Sequence, residues 1–370
     1  MAFGIYIHVP FCAARCGYCD FNTYVPKGPG QQSEFVEAAI TELKQARNEL
    51  GERPADTVFI GGGTPSLLGA EGLKRLLDGV ADTFGLKPDA EISTEANPES
   101  VDPEMLAAIH KHGFTRISLG MQSAAPHVLQ TLDRMHTAGR AVAAAHEARD
   151  AGFDHVSLDL MYGTPGETDQ DWEQTLEAAL SAQPDHISAY ALTVEPGTAL
   201  QAAIRRGALP APDDGDQARR FLYADERLQA AGLDWYELCS WARNPGAQCR
   251  HNVGYWRSAD WWGIGPGAHS HIDGVRFWNV LAPSAYAQRL ANGASPVADR
   301  EVLSAEDRAL EAVMLGLRLR GGLALAELSA AGAAAAAQEQ ANGRVRIEGD
   351  TVQLTQQGRL FANAVIRALT

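Results

Sequence analysis

GIYIHVPFCAARCGYC, residues 4–19, decides how this chain folds. Gly4–Val9 is a short β-branched and apolar run, the length of a strand, and Pro10 stops it. The continuation is small and polar and carries Cys12, Cys16 and Cys19 in C-x3-C-x2-C spacing. A first strand that hands three thiols to the loop at its C-terminal end predicts an α/β protein whose chemistry gathers at strand ends.

The rest of the first half repeats that unit. Strands are expected at Thr57–Gly61, Glu91–Glu95, Arg116–Met121, His155–Met161 and His186–Leu192. Between them, helices are expected near Ser33–Leu50, Ala70–Phe84, Pro103–His110, Ala138–Ala151 and Asp169–Ala182, with a shorter one near Ala125–Leu132. Val36, Ala39, Ile40 and Leu43 share one face of the first, which is helical periodicity. Alternation at this spacing implies βαβ units and a parallel sheet, either open or part of a barrel. The non-apolar residues collect after the strands: Gly61-Gly62-Gly63-Thr64-Pro65, Glu95-Ala96-Asn97-Pro98, Gln122-Ser123, Asp159, and Tyr162 through Gly166.

The pattern changes after Pro196. Gly207–Asp216 reads as a connector and Asp216–Ala231 as a helix. Leu233–Asn279 is rich in tryptophan. From about Leu303 the order helix, short helix, hairpin, helix predicts a small winged-helix-like module, with Gly349-Asp350 as a two-residue hairpin turn. The Ala-rich stretch Ala330–Ala337 reads as helical filler or a mobile loop. The expected divisions are therefore 1–200, 201–300 and 301–370.

Across 370 residues, 31 Lys and Arg face 46 Asp and Glu, a net charge of −15. Nucleic-acid binders release counterions through a cationic surface, so nucleic acid is excluded as a partner over the general surface. No apolar run reaches the ~18 residues of a membrane-spanning helix. The opening MAFGIYIHVPFC lacks Lys and Arg and is broken by His8 and Pro10, unlike a signal peptide. A cytoplasmic location is expected, where Cys12, Cys16, Cys19, Cys239 and Cys249 stay thiols.

Three clustered thiolates can hold three irons of a [4Fe–4S] cluster, leaving the fourth iron open to the amino and carboxylate groups of S-adenosylmethionine (SAM). Tyr18, inside the motif, could pack on adenine. A zinc site completed by Cys249 or a histidine is the alternative, but no second close cysteine pair exists.

Tyr6-Ile7-His8-Val9-Pro10-Phe11-Cys12 through Cys19 resembles the radical SAM superfamily, in the branch related to oxygen-independent coproporphyrinogen III oxidase, and the likeness spans nearly the whole chain. The resemblance implies a partial (β/α)6 barrel, followed here by an α+β region and the winged-helix-like module. It places Tyr6 near the SAM end of the barrel and makes Gly62, Gly63 and Thr64 the glycine motif that receives the methionine moiety. It makes Glu95 the acidic residue contacting SAM, and aligns Gln122, Arg134 and Asp159 with a second SAM position. Thr193 and the Ala268–His269 turn fall at further SAM-contacting places. On local chemistry alone, Gly61–Gly63 is a tight turn, Glu95 a helix cap, Asp159 a satisfied buried carboxylate and Arg134 a surface charge.

Two features depart from the oxidase. Phe21 stands where the oxidase has a further cysteine, and the first strand begins almost at Met1, where the oxidase carries an extension enclosing its substrate. His251-Asn252-Val253-Gly254-Tyr255-Trp256 resembles the HNxxYW motif of the HemW family, haem-binding relatives proposed to deliver haem to respiratory haemoproteins. This implies a haem chaperone, with haem-accepting proteins as partners and His251 as a candidate axial ligand; Cys249, His269 and His271 are rivals. The resemblance also admits a homodimer and a peripheral membrane contact made through partners. The alternatives are the coproporphyrinogen dehydrogenase itself, and a radical SAM enzyme on an unrelated substrate.

Overall fold

A computed structural model describes residues 2–28 and 30–370. Six strands stand side by side in chain order and run parallel: β1 (Phe3–Val9), β2 (Ala55–Gly62), β3 (Leu86–Ala96), β4 (Arg116–Gln122), β5 (His155–Tyr162) and β6 (His186–Ala191). Successive side chains on a strand point to opposite faces. On β1 this sends Ile5, Ile7 and Val9 into the main core and Gly4, Tyr6 and His8 to the other face. Helix Gln31–Leu50 buries Val36, Ala39 and Leu43 of the stripe seen in the sequence in that core, together with Phe35, and packs Ile40 against it. Helix Asp169–Ser181 starts where Thr168 and Asp171 cap each other reciprocally. This is the expected partial (β/α)6 barrel.

The six strands and their helices lie within a few residues of the sequence-based bounds, except that β3 starts at Leu86 rather than Glu91. Lys87, Pro88 and Asp89 hide that start, because they are exposed and disfavour strand by propensity.

Residues 201–300 extend the barrel sheet on both edges. β8 (Ser240–Ala242) pairs antiparallel with β6, and β7 (Asp234–Glu237) pairs antiparallel with β8 at the edge. β9 (Asp260–Ile264) pairs parallel with β1, and β10 (His269–Ile272), β11 (Val275–Asn279) and β12 (Val297–Val302) continue outward antiparallel. Among the described residues the sheet thus has 12 strands, and Trp241, Trp262, Tyr286 and Leu290 share the barrel's core. The aromatic residues are mostly packing material between these added strands and the helices.

Residues from Ala305 form the winged-helix-like module. Helix Ala305–Gly316 leads to β13 (Leu323–Ala324), helix Ala330–Ala341, β14 (Val345–Glu348) and β15 (Thr351–Leu354). The three strands form their own sheet over a separate apolar cluster including Leu317, Val352, Val365 and Leu369. Gly349 at φ 62° supplies the left-handed turn between β14 and β15. The Ala-rich stretch is helix throughout, capped by Ser329. Asp225, wholly buried, joins this module to the barrel through Arg359, Gln356 and Trp241.

Candidate functional site

The thiol loop lies at the C-terminal mouth of the barrel. The Cys12 amide donates to Tyr24 O (3.0 Å) and the Tyr24 amide to Pro10 O (2.7 Å), which folds the loop back over β1. Cys12, Cys16 and Cys19 are all partly exposed and free. Burial raises the Cys12 and Cys19 thiols, and their neighbouring thiolates raise them further. Thr64, Thr23 and Arg134 oppose the rise at Cys12. Among the described residues, no three His, Cys, Asp or Glu side chains converge on one ion. Cluster thiolates each take a different iron, so they ring a volume instead of meeting at a point.

The turn after β2 locks onto this loop. The Gly63 amide donates to Val9 O (2.8 Å) and the Thr64 amide to Phe11 O (2.7 Å). A Cβ on Gly63 would stand 2.4 Å from Phe11 O, and one on Gly62 2.6 Å from His8 Nδ1. These glycines are therefore required by the close approach of two chain segments, before any ligand is considered. Thr64 Oγ1 lies 3.8 Å from Cys12 Sγ.

Inside the mouth, Glu95 Oε2 accepts from the Gly62 amide at 3.0 Å. Burial, then the facing Asp159, pushes Glu95 up to about 8. Asp159 accepts from Ser118 Oγ at 2.9 Å and is itself pushed up to about 6 by burial, with Ser118 and Ser188 opposing the shift. Arg134 crosses the mouth: Nη1 lies 3.7 Å from Cys16 Sγ, Nη2 donates to Gly120 O at 2.7 Å, and Nε is buried without a partner. Gln122, at φ 61°, ends β4 beside it. The donor set fits an anionic iron–sulfur cluster and a ligand bearing both amino and carboxylate groups: three thiols, an orphaned guanidinium donor and two desolvated carboxylates.

Tyr6 faces the lumen and its hydroxyl pairs with His8 Nδ1 at 3.0 Å. Tyr18 packs in an apolar cluster with Val128, Leu132 and Leu200, which supports the loop from below. The ring is only half-buried there. Thr193 is exposed just beyond β6. Sequence reasoning missed Ser118, Ser188 and Tyr190. Ser188 pairs in register with Asp159, and Tyr190 lies two residues on along the same face. Their parity with Asp159 was the available signal.

His251 departs from the expectation of a haem ligand. Pro245–Trp256 crosses the opposite, N-terminal end of the barrel and closes it. His251 is 3% exposed; Nδ1 pairs with Thr57 Oγ1 at 2.8 Å and Nε2 with Tyr255 OH at 2.7 Å. The ring stacks on Phe59, with centroids 5.3 Å apart. Both nitrogens are taken, so no lone pair is free for iron. Burial lowers His251 to about 3, so it is neutral. Cys249 is also sealed in this floor, its thiol pushed up to about 12 by burial and then by Glu91. Arg116 pairs with Glu91 at 3.1 Å and donates to Ala247 O and Gln248 O, tying the floor to β3 and β4.

The barrel, the thiol loop at its mouth and the glycine turn define a radical SAM protein, and residues 6–179 match the Radical SAM superfamily. Residues 303–361 match the HemN C-terminal domain. The chain is 54% identical to Heme chaperone HemW of Mycobacterium tuberculosis (strain ATCC 25618 / H37Rv), over 99% of this chain and 94% of that protein. It is 33% identical to Heme chaperone HemW of Bacillus subtilis (strain 168), over 98% of each. It belongs to the HemW family. Coproporphyrinogen III oxidase (HemN) from Escherichia coli has the same fold, with a TM-score of 0.86 at 23% identity over 100% of this chain and 90% of that one. Among the described residues, no helix is long and apolar enough to cross a membrane.

Proposed function

We propose that this protein is a haem chaperone that carries a [4Fe–4S] cluster on Cys12, Cys16 and Cys19, binds SAM at the barrel mouth, and delivers haem to haemoproteins of the respiratory chain. The observation that carries the reading is 54% identity along 94% of a relative named a heme chaperone. The likeness to the oxidase is one of fold. Phe21, 59% exposed at the loop where the oxidase has a cysteine, favours the chaperone over the dehydrogenase.

When bound, the cluster supplies an open iron and one-electron chemistry. The chain's own residues do the rest. Thr64 and Arg134 stand beside the Cys12 and Cys16 sulfurs and offset their negative charge. Glu95 and Asp159 offer carboxylates for an amino group or ribose hydroxyls, and become anionic most readily when such a cation arrives. Tyr6, Gly62, Gly63 and Gln122 shape the mouth, and Thr193 stands at its rim. The protein is proposed to work in the cytoplasm, alone or as a homodimer.

Anaerobic reconstitution followed by hemin titration, with and without SAM, tests the reading. About four irons per chain are expected, and almost none in the triple Cys→Ala variant of positions 12, 16 and 19. Stoichiometric hemin binding supports the chaperone. Conversion of coproporphyrinogen III to protoporphyrinogen IX, with no hemin binding, sinks it.

A further inference from the structure

A large cavity lies away from the thiol loop. It lies beneath the barrel floor, in the cleft between the HNxxYW helix, β9, β10 and the C-terminal module, with a volume of about 1010 Å³. Small-molecule sites typically span about 300–1,000 Å³, so this one is large. Trp235, Trp256, Leu303, Leu319 and Leu323 give it apolar walls.

His271 of β10 also lines this cavity. Its Nδ1 lies 3.2 Å from Ala259 O. A carbonyl only accepts, so Nδ1 donates a proton and Nε2 is the nitrogen left for a metal. No donor among the described residues takes Nε2. The ring is backed by Trp261, with centroids 5.2 Å apart. An imidazole steered by a carbonyl on one nitrogen and without a partner on the other is the arrangement a metal-binding histidine requires.

The cleft also holds guanidinium groups without carboxylate partners. Asp234 is paired by Arg320, Asp260 by Arg53 and Glu311 by Arg276. Arg257 and Arg308 line the cleft and form no ion pair among the described residues. Both are exposed at its rim. Asp273 and Glu327 also line it, form no ion pair among the described residues, and repel a carboxylate from their part of the wall.

We propose that haem binds in this floor cleft, with His271 Nε2 on the iron, the two tryptophans against the macrocycle and Arg257 and Arg308 at the propionates. The inference rests on the chaperone reading and gives it a place. It also gives the HNxxYW motif a role that its buried histidine permits: His251 and Tyr255 brace the floor, and Trp256, one residue on, lines the cavity. Haem would then sit at the end of the barrel opposite the thiol loop.

The test is titration of the reconstituted full chain with hemin and, separately, with metal-free protoporphyrin IX. Wild type should bind one hemin with an imidazole-type Soret band. Loss of a second-shell partner weakens a metal site about 10–100-fold, so loss of the ligand itself in His271→Ala should raise the hemin Kd at least about tenfold and shift the band. Added imidazole should restore the band, and metal-free protoporphyrin should bind as before. His269→Ala, an exposed histidine outside the cleft, should change neither. Arg257→Glu with Arg308→Glu should weaken both porphyrins. Because those arginines are exposed, that variant decides the question if His271→Ala does not fold. Wild-type affinity and spectrum in folded His271→Ala, a band lost in His269→Ala, or full porphyrin affinity in the arginine variant overturns the cleft and leaves the chaperone reading standing. Failure of wild type to bind hemin overturns both.

Discussion

Replacing His251 by alanine should destabilise the barrel floor in a pH-dependent way. The side chain is 3% exposed and bridges Thr57 and Tyr255. Its removal orphans a buried threonine hydroxyl and the tyrosine hydroxyl, and opens a cavity against Phe59. An unsatisfied buried polar group costs about 1–3 kcal/mol, so the whole change should cost about 3–5 kcal/mol at pH 7.5 and lower Tm by roughly 5–10 °C. The pH sign follows from the proton count. Folded His251 titrates at about 3, against 6.5 when unfolded, so below pH 6.5 only the unfolded chain takes this proton. Its contribution is complete above 6.5 and is lost as pH falls toward 3, by at most about 1.4 kcal/mol per pH unit. At pH 5.0 wild type should have lost about 2 kcal/mol through this group, so the gap to the variant should narrow to about 1–3 kcal/mol. Melts of cluster-free wild type and variant at both pH values give the answer. Equal melting temperatures at pH 7.5, or a gap that widens on acidification, would show that the imidazole is not sealed between two hydroxyls.

Glu95→Gln should stabilise the SAM-free protein at pH 8.5 by up to about 4–5 kcal/mol. The folded carboxyl titrates near 8 instead of 4.5, so the stability lost by wild type between those values should be absent from the variant. The same substitution should weaken the effect of SAM on the reduced cluster's electron paramagnetic resonance spectrum. Gly63→Ala should push its new methyl into Phe11 O, disturb the thiol loop by about 1–3 kcal/mol and lower the iron content after reconstitution. Arg116→Met should leave Glu91 a buried, unpaired carboxylate and cost about 3–5 kcal/mol, read as a lower Tm with hemin stoichiometry kept in whatever fraction folds.

The local rules served well wherever the information was local. Ile5, Ile7 and Val9 declare a strand by alternation, Val36, Ala39 and Leu43 declare a helix by its period, and Gly349-Asp350 declares a turn by backbone freedom. Cys12, Cys16 and Cys19 carry their meaning in their spacing, because one short loop positions all three sulfurs. The pairing of β9 with β1 was invisible, since hydrogen-bonding partners some 250 residues apart leave no mark on either segment. The same is true of Glu95 facing Asp159 and of Arg134 reaching Cys16, which exist only once the strands have curled into a barrel. His251 shows the division most directly. Its residue type and aromatic neighbours suited an iron ligand, and composition could go no further. Only the tertiary structure decided that Thr57 and Tyr255 take both ring nitrogens, while His271, on β10, leaves Nε2 without a partner beside the cavity. The lone pair of an imidazole belongs to whichever donor the fold brings within reach, and sequence spacing cannot specify that donor.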